Sequence, residues 1–188
     1  MRLLSHPLRG SELVTRYLAG DPEALAFYPG GPPGALDAYR EVSRSVAARF
    51  TRGSRELLAG ALEGGGVNAS ARLERWVEEG GFAVTTGQQP GLLGGPLYSL
   101  YKALTAGALA RRLELRLGIP VIPVFWVASE DHDWEEVRRI TLPDPANDLV
   151  EILLPVAEKD RDAPLHRVVP GRALSEARER LLSLLPDS

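Results

Sequence analysis

Apolar residues recur at three- and four-residue steps through the first third of the chain, and that period belongs to helices. Leu36, Tyr39, Val42, Val46 and Phe50 mark one face of a helix expected from about Ala35. Leu57, Leu58 and Leu62 carry the pattern to Gly64-Gly65-Gly66, with Gly53 as the expected break or bend. Two shorter helices precede it. Ser11 is placed to cap one ending near Gly20, and Asp21-Pro22 starts the other, with proline where its missing N–H costs nothing. Gly30-Gly31-Pro32-Pro33-Gly34 reads as a linker or exposed turn. A further helix, capped by Asn68 or Ser70, is expected to turn Leu73, Trp76 and Val77 inward.

The period changes at Gly80-Gly81. Phe82 to Thr86 reads as a short strand of buried type, and Gly87 as the start of a turn. A helix follows from near Pro96 to Leu117, ended by Gly118 and Pro120. Leu97, Leu100, Tyr101, Leu104 and Ala108 form its apolar stripe, extended by Leu109, Leu113 and Leu117, and Tyr101 is expected in the core. Val121 to Val127 is apolar on both faces, as in a parallel strand covered by helices, although Pro123 removes one ladder donor. Strand, helix, strand at this spacing predicts a right-handed βαβ unit, hence an α/β fold. Beyond Trp134 alternation returns. Val137–Leu142 and Leu149–Leu154 predict a hairpin, Glu158 to Ala163 a charged loop, and Ser175 to Leu185 a last helix with Ser175 as its cap. The expected division is a helical region over 1–79 and an α/β core over 80–188, with the hairpin inserted near 137–154.

The length of 188 residues allows one domain, or one and a fraction, and the 44% hydrophobic and 25% charged fractions are ordinary for a globular protein. The net charge of -3, with no basic stripe, argues against nucleic-acid binding. Arg111-Arg112 and Arg138-Arg139 read as solvated faces or local ion pairs. With no cysteine, disulfides, thiolate metal sites and a cysteine nucleophile are excluded, which fits a reducing cytoplasm. Met1-Arg2-Leu3-Leu4 meets His6 and Pro7 too early for a signal peptide, and no apolar run reaches the ~18 residues of a membrane span.

Candidate chemistry gathers after the two strands. Gly87, Gly91, Gly94 and Gly95 would let backbone approach a ligand near a helix start, where free amides attract anions. The spacing is neither the dinucleotide fingerprint nor a Walker A loop, so a tight strand-to-helix turn is an equal reading. Gln88 and Gln89 offer amide donors and acceptors for a small polar ligand, or satisfy local backbone. Tyr98 and Lys102 lie on the first turns of the helix, and Lys102 either reaches an anion or is solvated. Glu130-Asp131-His132-Asp133 closes the second strand with four titratable side chains. Crowding of that kind perturbs pKa values and suits acid–base work, with His132 the natural proton carrier and the carboxylates a candidate magnesium ligand set. Zinc is not expected, since there is no HExxH and no second nearby histidine. Trp126 and Trp134 flank the cluster and either stack on a ligand ring or pack. His6 and His166, without surrounding motifs, read as structural or surface residues.

Gly87-Gln88-Gln89-Pro90-Gly91-Leu92-Leu93-Gly94-Gly95-Pro96-Leu97-Tyr98, then Tyr101-Lys102-Ala103, Pro123-Val124-Phe125-Trp126 and Glu130-Asp131-His132-Asp133 closely resemble the bacillithiol-biosynthesis cysteine-adding enzymes. The resemblance extends over the N-terminal helices, including Asp21 to Tyr28. It implies a Rossmann-like parallel sheet, here partial, and a cytoplasmic bacterial ligase making a low-molecular-weight thiol. That reaction joins the carboxyl of cysteine to the amine of glucosaminyl-malate, and making an amide from a free carboxylate implies ATP and Mg2+. On that ligase reading Gly87, Gln88, Gln89, Gly91, Gly94, Gly95, Tyr98, Lys102 and Trp126 are the candidates for substrate or nucleotide binding, and Glu130, Asp131, His132 and Asp133 for catalysis, managing protons or positioning substrate. Family members are longer. Their later strands and the coiled coil of the full-length homodimer would lie beyond Ser188, which puts dimerisation of this chain in doubt. The His-x-Gly-His signature of related nucleotidyl transferases is replaced here by Gly87-Gln88-Gln89-Pro90-Gly91. The rival readings are a nucleotide or sugar-acid binding module without turnover, and an inactive fragment. All readings of a site require the glutamine turn and the acidic tip to meet at one rim of the sheet.

Overall fold

The structure, a computed structural model, describes residues 10–28, 34, 37–62, 69–155, 157, 160 and 162–185. His6, the Gly30–Pro33 turn, Ala35, Leu36, Gly64 to Gly66, Asn68, and Glu158, Lys159 and Arg161 of the charged loop lie outside the described residues. Two compact units divide the chain: Met1–Phe82 with Ala110–Ile122, and Ala83–Leu109 with Pro123–Ser188.

The first unit holds the helices α1 (Glu12–Leu18), α2 (Pro22–Leu25), α3 (Ala38–Ala47), α4 (Arg52–Ala61) and α5 (Ala69–Glu79). Caps set the starts. The Ser11 hydroxyl accepts from the Val14 amide, and the Asp21 carboxylate accepts from Glu23 and Ala24 at 3.0 and 3.1 Å while also receiving Arg16 at 2.8 Å. The helical pattern expected from about Ala35 to Leu62, with a break or bend at Gly53, forms the two helices α3 and α4. The break falls at Ala48–Thr51, not Gly53, because the Thr51 hydroxyl accepts from the Ser54 amide and caps α4, leaving Gly53 inside its first turn. A cap satisfies otherwise orphaned donors, whereas a glycine inside a helix merely weakens it. Ser70, expected as a cap, lies within α5.

Trp76 of α5 is fully buried, tilted against Phe50 at 5.7 Å, and donates from Nε1 to the Phe82 carbonyl at 2.8 Å. Gly81 lies so close to this indole that a Cβ there would collide with it and with the Pro120 carbonyl. Arg55 is buried beside it, and its guanidinium donates to the carbonyls of Phe50 at 3.0 Å and Val77 at 3.2 Å. Those two acceptors at helix ends explain a buried cation here.

Strands β1 (Phe82–Gln88) and β2 (Val121–Val127) pair, and helix α6 (Leu97–Leu117) connects them. The Phe82 amide donates to the Pro120 carbonyl, and the Ala128 amide to the Gln88 carbonyl, so starts face starts and ends face ends: the pair is parallel. Both contacts use even-numbered residues of the second segment, so Pro123 has the opposite parity and faces away from β1. Its missing N–H therefore costs the ladder nothing. β1 reaches two residues further than expected, through Gly87 and Gln88, because that Ala128 bond extends the ladder.

Three expected burials fail. β1 is half-buried along most of its length. The carboxyl half of β2 is exposed, Trp126 at 65%. On α6 the leucine–tyrosine stripe faces outward, with Tyr101 60% exposed, while Ala106, Ala110 and Leu113 are buried. Periodicity identifies an apolar face but not the element that covers it.

In the second unit, β3 (Arg139–Pro143) and β4 (Leu149–Leu153) form an antiparallel hairpin with Ile140 opposite Ile152. The Asp144 carboxylate accepts from the Ala146 and Asp148 amides at 2.8 and 2.9 Å, and Asn147 takes the left-handed conformation that asparagine tolerates. The short helix α7 (Trp134–Val137) leads into the hairpin. Helix α8 (Arg172–Leu184) begins three residues before the expected Ser175 cap, directly after Gly171 at φ 56°. Ile152, Leu154 and Ala177 form a core with Leu92, flanked by Ile140, Leu142, Leu181 and Leu184.

Replacing Trp76 by Ala is expected to cost about 3–5 kcal/mol. Trp76→Phe should cost less, about 1–3 kcal/mol, chiefly by leaving the Phe82 carbonyl without its donor. Urea unfolding of both variants checks this; an unchanged midpoint for Trp76→Ala would show that this indole does not hold the first unit.

Candidate functional site

Every residue of the site lies in the second unit, at the carboxyl ends of the two parallel strands. Backbone crowding explains the glycines there. A Cβ on Gly87 would come within 2.7 Å of the Trp126 carbonyl oxygen, so glycine permits the close approach of β1 and β2. A Cβ on Gly91 would strike the backbone of Gly95, which itself has φ 76°. Between them the chain makes a 3-10 turn over Leu92–Gly94. Leu92 is buried in the core shared with the hairpin and α8, Leu93 packs against it, and Leu93 holds a left-handed φ of 53° that only such anchoring sustains. The groove beside Gly94 and Gly95 has a volume of about 390 Å³ and is walled by Leu93, Leu97, Leu100, Ala103 and Phe125. That wall is mostly apolar, with the Ser99 hydroxyl its one polar side-chain group, and further donors for an anion lie beside it.

They are on the first turns of α6. Lys102 Nζ donates to the Gly87 carbonyl at 3.1 Å and to Gln88 Oε1 at 2.8 Å, and stands 5.5 Å over the Tyr98 ring. Lysine only donates, so this contact fixes the Gln88 amide with oxygen toward Lys102 and nitrogen toward Tyr98. Gln88 Nε2 then donates to Tyr98 Oη at 3.2 Å. An oxygen accepting there turns its own hydrogen elsewhere. Tyr98 O–H and the third proton of Lys102 are left to donate outward. Among the described residues Lys102 forms no ion pair; the Gly87 and Gln88 oxygens and the Tyr98 ring face its charge.

Gln89, the next residue, turns to the other segment. Its Nε2 donates to Asp131 Oδ2 at 2.6 Å. Asp131 Oδ1 accepts from the His132 and Asp133 amides at 2.7 and 3.1 Å. The Gln89 donation first, then the Asp133 and His132 amides, hold the Asp131 carboxyl below the usual aspartate range, because each bond favours the ionised form. Asp133 Oδ1 accepts from the Glu136 amide at 3.1 Å and caps α7. Two of the four titratable residues thus spend carboxylate oxygens on local backbone. Glu130 and His132 are exposed, and their side chains make no hydrogen bond among the described residues. Trp134 is buried as packing, whereas Trp126 is open.

The structure brings Gln88, Tyr98 and Lys102 together, and separately joins Gln89 to Asp131, whose carboxylate also receives the His132 amide; among the described residues the side chains of His132, Glu130 and Trp126 make no hydrogen bond with either group. It also adds a residue without any motif around it. His166, on the 3-10 turn Leu165–Arg167, meets the Ser129 carbonyl with both its amide at 3.0 Å and its ring Nδ1 at 3.1 Å. The Leu165 amide donates to the Asp131 carbonyl at 2.8 Å. No local pattern announces a contact made across 37 residues.

Among the described residues no group of three His, Asp or Glu side chains is arranged to hold a metal. Three N–H donors already occupy the Asp131 oxygens, so a magnesium ion at the tip would be held through Glu130 or Asp133 Oδ2, which make no hydrogen bond among the described residues. The Lys102–Tyr98 pair fits a phosphate or carboxylate group.

Over residues 2–188 the chain matches the family described as "Bacillithiol biosynthesis BshC, N-terminal Rossmann-like domain". It is 44% identical over 189 residues to a Heliobacterium modesticaldum protein named "Putative cysteine ligase BshC", covering 95% of this chain and 34% of that one. Relatives of the same name come from Koribacter versatilis, 39% identical over 71% of this chain and 25% of the relative, and from Symbiobacterium thermophilum, 59% identical over 32% and 11%. The chain therefore spans about a third of the length of the Heliobacterium relative, and the stretches matched in the other two are shorter still.

The Asp131 carboxyl should titrate below about 3.9, the ordinary aspartate value. Gln89→Ala should raise that midpoint toward it, as read by carboxyl carbon NMR. A pKa lowered in the folded state contributes stability that is full above the unfolded value and is lost as pH falls through the folded one. The stability gap between the parent and Gln89→Ala should accordingly be present at neutral pH and close in acid. Equal Asp131 midpoints in the two proteins would remove the Gln89 bond from solution.

Proposed function

We propose, from the premise that this chain belongs to the bacillithiol-biosynthesis BshC family through its N-terminal Rossmann-like domain, that it is the substrate-holding part of a cysteine ligase. The reaction is amide formation between the carboxyl of cysteine and the amine of glucosaminyl-malate, in the cytoplasm. ATP, when bound, supplies the activation that a free carboxylate lacks. The anion-binding pair, Lys102 and Tyr98, receives a carboxylate or phosphate of the substrates. Gln88 orients that pair, and the glycines shape the turn behind it. Gln89 and the ionised Asp131 position the tip, Asp133 starts α7, and His132 with Glu130 beside it handles protons at its exposed end. Trp126 offers an open ring face for stacking.

One observation carries the reading: a lysine with no ion pair among the described residues, aligned by a glutamine with a tyrosine hydroxyl, at the carboxyl end of a parallel strand. Open α/β sheets place ligands at that edge. A charge-assisted hydrogen bond to a bound anion also exceeds a neutral one.

Calorimetry on the 188-residue chain should detect glucosaminyl-malate or ATP, and Lys102→Ala should weaken that binding roughly 10- to 100-fold, since a hydrogen bond to a charged group is worth about 1.5–3 kcal/mol. Thiol product should require the chain extended to the length of its relatives, and there His132→Ala should abolish it without unfolding the protein. Lys102→Ala binding both ligands as tightly as the parent would overturn the anion site. An extended protein that makes no thiol would overturn the ligase.

A further inference from the structure

We propose that His166 is a proton acceptor of this site, with Nε2 as the basic atom, and the proposal rests on the ligase reading above. The tautomer is the starting point. The Ser129 carbonyl oxygen can only accept, so the ring nitrogen 3.1 Å from it, Nδ1, carries the hydrogen. In the neutral imidazole this leaves the lone pair on Nε2. His166 is exposed, and Nε2 has no partner among the described residues, so the lone pair is open to a ligand.

The ring is also held in place. The His166 amide shares the Ser129 carbonyl, the Leu165 amide binds the Asp131 carbonyl, and Leu165 is buried. The Asp131 side chain is in turn bound to Gln89. A continuous set of hydrogen bonds therefore ties His166 to the segment that the glutamine turn positions. His132, by contrast, has a ring with no hydrogen bond among the described residues to fix its tautomer. A base whose distal nitrogen is oriented by a carbonyl is the usual device for presenting one nitrogen to a reactant. The ionisable groups on the segments that meet here are Glu130, Asp131 and His132 on one and Arg167 on the other.

The step is a single proton transfer. The amino group of an amino-sugar substrate is an ammonium near neutral pH and has no lone pair with which to attack an acyl carbon. Nε2 takes one of its protons; the ammonium becomes a neutral amine and the imidazole an imidazolium, with no other bond changed. The imidazolium returns the proton to water.

Two measurements test this. In long-range nitrogen NMR of the 188-residue chain, neutral His166 should show the tautomer protonated at Nδ1; a ring protonated chiefly at Nε2 overturns the proposal. In the protein extended to the length of its relatives, His166→Asn keeps a side-chain N–H for the Ser129 carbonyl but has no base. It should form thiol about 100-fold more slowly, with KM little changed. A His166→Asn variant at parent rate, whether or not His166→Ala folds, makes His166 a structural latch and overturns the proposal. A parent that makes no thiol overturns the ligase reading, and this base with it, a pattern distinct from an active parent beside an active variant.

Discussion

The bond between Gln89 and Asp131 is the constraint on which the site depends. It joins the segment leaving β1 to the segment leaving β2 at 2.6 Å, and a donor to an ionised acceptor makes a stronger bond than one to a neutral group. Once Asp131 is fixed, its other oxygen gathers the His132 and Asp133 amides, and Asp133 can begin α7. The Asp131 carbonyl and the neighbouring Ser129 carbonyl then receive the turn that carries His166. A parallel pair of strands aligns two chain ends but leaves the path of the chain beyond them open. Here one side-chain amide closes that choice.

The second support is apolar. The glycine-rich turn would be loose if glycine alone shaped it, because glycine loses more conformational freedom than any other residue on ordering. Leu92 and Leu93 prevent that by entering the core of Ile152, Leu154 and Ala177. The hairpin and α8 therefore clamp the turn, although they carry no candidate chemistry of their own. Leu93 packs against that core while holding a left-handed φ of 53°, a conformation unfavourable for leucine.

Much of this is legible in the sequence, and the illegible part has a common cause. The Ser11 and Asp21 caps, the βαβ unit and the hairpin are local patterns, and local patterns survive folding. The stripe of Leu97, Leu100, Tyr101 and Leu104 faces outward against expectation because a period of 3.6 reports an apolar face and not its cover. The helix break lies at Thr51 rather than Gly53 because a cap outweighs a weak helix former. At the site, the glutamines and Lys102 stand out as polar groups that packing does not need. Their partners are not legible, since Gln89 and Asp131 are 42 residues apart. His166 carries no signal for the same reason, its contact with Ser129 being wholly tertiary.

The division of labour within the acidic tip comes from hydrogen-bond capacity. A carboxylate that accepts from three N–H groups is stabilised as an anion and becomes a poor proton carrier near neutral pH, because its protonated form would forfeit those bonds. That removes Asp131 from acid–base work and makes it an anchor. On the proposed reading, proton transfer then falls to rings and carboxylates that the backbone has not claimed, His132, Glu130 and the tautomer-fixed His166. The cations obey the opposite logic. Lys102 is offered carbonyl and amide oxygens, which orient it without neutralising it. A full counter-charge from the protein would have cancelled its pull on a substrate anion, whereas dipoles leave that pull in place. A saturated anchor, and a cation that is oriented but without an ion pair among the described residues, are what the proposed anion site requires and what a strand end that merely meets solvent does not.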